Sequence, residues 1–164
     1  MNHEESKLQQ TCVAWFRAQY PHYAMLLTHP ANEGNGNRVS GAIHKAEGTV
    51  AGVPDLLLFM PAEYRKEVGF GMTLLSDYHA LGIEFKTLKG RQSLHQKDFQ
   101  QMFEAAGYKY VIVRSFDEFK NVIEDYIDHV KYNIHEAISL THRMITAAAD
   151  EKEREKFYKV IGKK

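Results

Sequence analysis

Two short stretches hold the residues best suited to chemistry. In GVPDLLLF, residues 52–59, Asp55 stands directly before an apolar run. In GIEFKTL, residues 82–88, Glu84 and Lys86 interrupt an otherwise hydrophobic, strand-like sequence. Successive strand side chains point to opposite faces, so Glu84 and Lys86 share one face while Ile83 and Phe85 take the other. On an edge strand such a pair is an ordinary surface ion pair. Here the hydrophobic flanks predict a central strand, and Gly52 with Pro54 predicts a stiff turn that aims the Asp55 carboxylate. A further carboxylate comes from the N-terminal helix. Glu5 lies on the stripe of Leu8 and Cys12 that faces the core, whereas Glu4 is turned about 100° away by helix geometry.

Carboxylates converging in a partly buried place repel one another and lose hydration, and protonation or a bound cation relieves both. Oxygen-only ligands favour a hard ion, so Mg²⁺ or Mn²⁺ is expected rather than Zn²⁺. Such an ion lowers the pKa of a bound water and holds a phosphate oxygen. Lys86 would then orient the attacking hydroxide and stabilise the charge that builds on phosphorus. Residues 86–97 carry Lys86, Lys89, Arg91 and Lys97 with no acid before Asp98, a positive edge suited to phosphate contacts, although a solvated loop has the same composition. Arg38, His44 and Lys45 are further candidates for that duty. Gln96 has two readings. It completes a capping box with Ser93, or it reaches into the site.

The elements that must position these groups follow from periodicity. Residues 5–20 read as a helix with Leu8, Cys12, Trp15 and Phe16 on one face, ended by Pro21. YAMLLT, residues 23–28, suits a short strand, and a long Gly/Asn-rich loop leads to the apolar strand DLLLFM. The stretch from Pro61 to Ala80 reads as an extended connection or hairpin, followed by the strand LGIEFKTL. A helix capped by Ser93 and ended near Gly107, the strand YKYVIVRS and a helix from Phe116 complete the body. From Asn133 a last helix carries Ile134, Ile138 and Ile145 at helical spacing. This order indicates an α/β fold with a mixed sheet.

The 164 residues suit one domain, with 44% hydrophobic and 26% charged residues and a net charge of zero. The absence of a basic excess argues against non-specific coating of nucleic acid, so DNA contact must rest on a local patch. A lone cysteine and the lack of a signal-like or membrane-spanning segment point to the cytoplasm and to no membrane partner. "NEGNGN" lacks the rest of a P-loop, and "HEAIS" lacks the second histidine of a zinc protease.

The blocks EESKLQQTCVAWFRAQYP, AEGTVAGVPDLLLF, YHALGIEFKTLKGRQSLHQKDF and AAGYKYVIVRSFDEF, in that order, resemble the PD-(D/E)xK nuclease superfamily and, more narrowly, its VRR-NUC group. The resemblance spans roughly residues 4–128. It implies a restriction-endonuclease-like mixed sheet flanked by helices and a divalent-metal phosphodiesterase acting on DNA. By matching position it implies Asp55, Glu84 and the main-chain carbonyl of Phe85 as metal ligands and Lys86 as assistant to the nucleophile. It further implies that Glu5 completes the site, and it favours the site reading of Gln96. Phe99 stands where many relatives carry tryptophan. The expected organisation is a nuclease domain over residues 1–132 and a C-terminal helical extension over 133–164, packed on the domain or on a dimer partner. Small single-domain relatives are phage-like and are linked to Holliday-junction cleavage, which needs paired sites and hence a homodimer. A flap or nicking nuclease acting as a monomer, and a non-cleaving DNA-binding module, are the alternatives.

Overall fold

The structure is a computed structural model that describes residues 3–30, 43–69, 72–131 and 151–152. The chain divides into two units, Met1–Lys131 and Tyr132–Lys164. The expected C-terminal helix, with Ile134, Ile138 and Ile145, lies outside the described residues except for residues 151–152, which are helical, and Arg38 and the NEGNGN stretch lie outside them too.

Within the first unit, helix α1 (His3–Gln19) is followed by a 3₁₀ turn (Pro21–Leu26) and a two-residue strand β1 (Leu27–Thr28). Strand β2 (Leu56–Leu58), a hairpin of β3 (Ala62–Gly69) and β4 (Met72–Tyr78), and strand β5 (Leu81–Phe85) come next. Helix α2 (Leu94–Ala105), strand β6 (Lys109–Val113) and helix α3 (Phe116–Asp128) complete it. The main sheet has the order β1-β2-β5-β6, with the first two pairings antiparallel and the last parallel. It is the mixed sheet expected.

The expected central strand is β5, flanked by β2 and β6 and buried at all five residues. Its two faces serve different layers. Ile83 and Phe85 point to one side, where Phe85 stacks on Phe119 of α3 at 6.0 Å between ring centroids. Trp15 of α1 meets Phe119 edge-on at 6.0 Å and Phe116 at 5.9 Å, so α1 and α3 close that face together. Truncating Phe119, fully buried, would cost about 3–5 kcal/mol by transfer and cavity terms. On the other side a Cβ at Gly82 would sit 3.0 Å from Phe103, so α2 packs on the glycine face of β5. Cys12 is fully enclosed in the α1 core stripe, and burial pushes its thiol up to about 12, so it stays protonated.

Three elements differ from expectation. YAMLLT is not a six-residue strand. Pro21 opens a 3₁₀ turn at the first position, where its missing N–H costs nothing, and only Leu27–Thr28 pairs. DLLLFM pairs only over Leu56–Leu58, and Phe59 is half exposed. LGIEFKTL stops pairing at Phe85, after which Thr87–Gly90 closes a turn through Gly90 N–H to Thr87 carbonyl at 3.0 Å. The uncertain stretch after Pro61 is a hairpin. Ala62 pairs with Tyr78 at its base, and Tyr64 stacks on His129 at 4.0 Å, which fastens the base to the end of α3.

Candidate active site

The site is built where β5 ends. Leu56 lies opposite Ile83, and one residue further along that register Asp55 comes abreast of Glu84. The turn before Asp55 contains Gly52 at φ +89°, where a Cβ would lie 2.2 Å from the His95 carbonyl. Only glycine lets this backbone rest against the first turn of α2. The Asp55 carboxylate is held from the neighbouring strand: its Oδ2 accepts the Phe85 amide at 2.7 Å. The Asp55 main-chain carbonyl accepts His29 Nδ1 at 2.6 Å and, more loosely, Gln9 Nε2 at 3.4 Å.

Glu84 is almost wholly enclosed, with 1% of its surface exposed. Its Oε1 accepts Lys86 Nζ at 2.6 Å and Gln96 Nε2 at 2.5 Å, and the Tyr110 hydroxyl donates to Oε2 at 3.3 Å. Gln96 performs both tasks considered for it. Its Oε1 accepts the Ser93 amide at 2.9 Å while Ser93 Oγ accepts the Gln96 amide at 3.2 Å, so the capping box is complete. Capping occupies the oxygen of the side-chain amide, which leaves the nitrogen end for Glu84. One residue therefore ties the start of α2 to the site.

Electrostatics sets this place apart. Burial pushes the Asp55 carboxyl above its usual range and Glu5 adds to that, against the Phe85 amide, Lys86 and His29. Burial also pushes Glu84 up, with the charge of Asp55 acting the same way and Lys86 and Tyr110 opposing. Burial and the Glu84 charge push the Tyr110 phenol up, so it remains a donor. Two carboxylates thus share one lysine.

Glu5 sits at the rim, half-buried, with its Oε1 accepting the Thr87 amide at 3.0 Å. Glu4 is exposed, as helical phase predicts, and both line a cleft of about 540 Å³ with Lys86, Leu88, Lys89 and Arg114. Among the described residues no group of three or more His, Cys, Asp or Glu side chains is disposed to hold an ion. The facing pair is Asp55 and Glu84, with Glu5 near enough to act on Asp55 through its charge. Of the basic candidates, Lys89 lines the cleft, Arg91 and Lys97 are exposed nearby in sequence, and Lys45 is exposed on a helical turn at residues 43–46.

Sequence reasoning missed Tyr110, Arg114, Gln9 and His29. Arg114 donates through Nη1 to the Thr87 carbonyl and, at 2.9 Å, to the Gly90 carbonyl, so it pins the turn that carries Lys89. No linear pattern marks these residues, because each reaches the site through strand register or through α1 packing. His79 lies two residues before β5, where its amide donates to the Gly107 carbonyl at 2.9 Å.

Residues 2–117 match the VRR-NUC domain family. Among solved structures, the chain is similar to a VRR-NUC domain protein at a TM-score of 0.62 and 23% identity, over 81% of this chain and 95% of that one. That likeness carries the fold, and no curated protein matches. With the match covering the opening helix, the Asp55 turn and the Glu84–Lys86 strand, the chain belongs to the VRR-NUC domain family, a nuclease-like family.

Proposed function

We propose that this chain is a Mg²⁺- or Mn²⁺-dependent endonuclease that hydrolyses phosphodiester bonds in branched, Holliday-junction-like DNA. The observation that carries the reading is the pair of half-buried and buried carboxylates, Asp55 and Glu84, abreast on adjacent strands with Lys86 bonded to one of them. Burial raises both acids, an arrangement that favours uptake of a cation. The donor set is oxygen only, which fits a hard divalent ion.

Asp55, Glu84 and the main-chain carbonyl of Phe85 would hold the ion. When bound, it supplies positive charge against the phosphate and acidifies water. The remaining work falls to the chain's own groups. Lys86, 12% exposed at its side chain, reaches the site bonded to Glu84, and would donate to the attacking water and to the charge building on the phosphate oxygens. Gln96, Tyr110 and the Phe85 amide fix the two carboxylates before substrate arrives, so little reorganisation is needed. Glu5, through Thr87, orders the backbone that follows Lys86. Lys89, Arg91 and Lys97, with Arg38 and Lys45, would meet the flanking phosphates.

The deciding experiment offers junction, flap, single-stranded and linear duplex DNA with Mn²⁺ and with EDTA. Cutting of junctions with Mn²⁺ alone is expected. A preference for flaps, or nicking of duplex, would replace the junction assignment, and binding without cutting under any metal would make this a DNA-binding module. Paired cuts require two copies, and the hairpin offers a surface for that partner: Val68, Leu74 and Leu75 are each more than half exposed. Sedimentation should give a dimer that Leu74→Lys reduces to a folded monomer. A monomer at micromolar concentration, on and off DNA, would refute the paired-site version. The enclosed, protonated Cys12 is compatible with work in a reducing cytoplasm, and no helix among the described residues is long and apolar enough to cross a membrane.

A further inference from the structure

A second groove lies along α1, of about 500 Å³, lined by Ser6, Gln9, Gln10, Val13, Arg17 and His29 among others. It differs from the cleft that holds Glu4 and Glu5, since no acid lines it. We propose that this groove is a nucleotide subsite for the substrate strand, taking the phosphate and base next to the cut. The proposal rests on the nuclease reading given above and adds a direction and a binding site to it.

The groove begins at the site itself. Thr28 pairs with Leu57, which carries His29 abreast of Leu56, next to Asp55, and His29 Nδ1 bonds the Asp55 main-chain carbonyl at 2.6 Å. A carbonyl only accepts, so Nδ1 carries the proton and the ring is fixed with its other edge turned away from that bond. Gln9, 8% exposed, donates through Nε2 to the same carbonyl at 3.4 Å and packs beside the ring, its nitrogen 3.2 Å from Nδ1 without a bond between these two donors. The imidazole is thus a held, exposed flat surface directly beside a proposed metal ligand. Base stacking on such a ring is sequence-tolerant and suits a nuclease that reads structure.

Arg17 supplies the charge. It is exposed in the last turn of α1 and lines the same groove. Gln10, bonded to Ser6 Oγ at 3.2 Å, adds polar donors along the helix face. A strand whose scissile phosphate lies at Asp55 and Glu84 leaves in two directions. The cleft with Lys86, Lys89 and Arg114 receives one side, and the acid-free groove is sized and charged for a nucleotide on the other.

The test measures binding of a junction to the full chain in Ca²⁺, by fluorescence anisotropy across a salt series, and cleavage in Mn²⁺. Arg17→Ala should weaken binding about tenfold, the loss of one charge-assisted contact, and lower the slope of log K against log salt by about one. KM should rise with kcat nearly unchanged. His29→Ala should weaken binding and His29→Phe should recover most of it, which a purely structural role through the Asp55 carbonyl would not allow. Lys120→Ala, half-buried on α3 and paired with Glu124 at 3.8 Å, is the control and should change nothing. Unchanged affinity and slope in Arg17→Ala, with the wild type cutting normally, would overturn the subsite alone. A wild type that neither binds nor cuts DNA would overturn the subsite together with the nuclease reading.

Discussion

Lysine, carboxylate and tyrosine meet twice around the β5–β6 pair. Around Glu84, Lys86 stands at 2.6 Å and the Tyr110 hydroxyl at 3.3 Å. Around Asp125, the Tyr64 hydroxyl stands at 2.7 Å and Lys109 at 3.4 Å, with Lys109 also 2.7 Å from that hydroxyl. The two triangles use the same residue types for opposite ends. Glu84 is enclosed and faces a second acid, and burial together with Asp55 pushes it up. The Asp125 side chain is 51% exposed, and although burial alone would raise it, Tyr64, Lys109 and His129 more than offset that and hold it below its usual range. An acid held low by a lysine, a histidine and a hydroxyl is a tie, here between the hairpin base and α3. Acids that outnumber their cations are a place where a further positive charge is welcome.

The sharpest way to break this comparison is to neutralise each acid in turn. Glu84→Gln and Asp55→Asn should each cut the initial rate of junction cleavage in Mn²⁺ by at least about 100-fold, the scale on which lost metal-site partners act. Asp125→Asn should cleave at the wild-type rate. Equal damage from Asp125→Asn would mean that the two triangles are not different in kind. DNA affinity without metal should stay or rise in the site variants, because less negative charge faces the phosphates.

The lysines separate next. Lys86→Ala should lower kcat by about 100-fold, the scale of a transition-state charge contact, while Mn²⁺ affinity from isothermal titration changes little. Lys109→Ala should lower the melting temperature and spare kcat. A Lys86→Ala protein that cuts normally would reduce Lys86 to a structural partner of Glu84.

Gln96 allows a finer cut within one residue. Ser93→Ala removes only the cap and should cost ~1 kcal/mol by denaturant titration, with cleavage intact. Gln96→Ala should lose the same stability and in addition about tenfold in rate, as a supporting ligand partner does. Matching rates for the two variants would leave Gln96 as a cap alone.

The smallest effect concerns pH. Because the folded Asp125 pKa is depressed, its contribution is fully present above the unfolded value near 3.8 and is lost as pH falls through the lower, folded value. The gap in melting temperature between wild type and Asp125→Asn should therefore be constant near neutrality and shrink below about pH 4. A gap that widens with acid would reverse the assigned direction.

Much of the site was legible because its residues sit on short, strongly patterned strands. The apolar flanks of Glu84 placed it on a central strand, and the helical phase of α1 separated Glu5 from Glu4. The Ser93–Gln96 spacing marked a cap, and the second hydrogen bond of that glutamine appears only once α2 is laid across β5. Tyr110, Arg114, Gln9 and His29 stayed hidden for a like reason. Their positions depend on which strands become neighbours and in which register, and Leu27–Thr28 is too short a strand to announce its pairing. YAMLLT misled because apolar run length does not distinguish a strand from a 3₁₀ turn, and Pro21 decided between them.

The hairpin has a consequence for how such chains can be altered. β2 and β5 lie side by side, yet the whole of β3 and β4 is threaded between them, leaving and returning through the Ala62–Tyr78 pair. Distance along the chain between Asp55 and Glu84 is therefore uncoupled from their distance in space. A motif search that fixes that gap would discard relatives whose hairpins differ only in length. For the same reason the arm is an engineering handle. Arg65 faces Leu75, so joining them through an Asn-Gly turn would shorten the arm without shifting either acid, while removing Val68 and Leu74 from the partner surface proposed above.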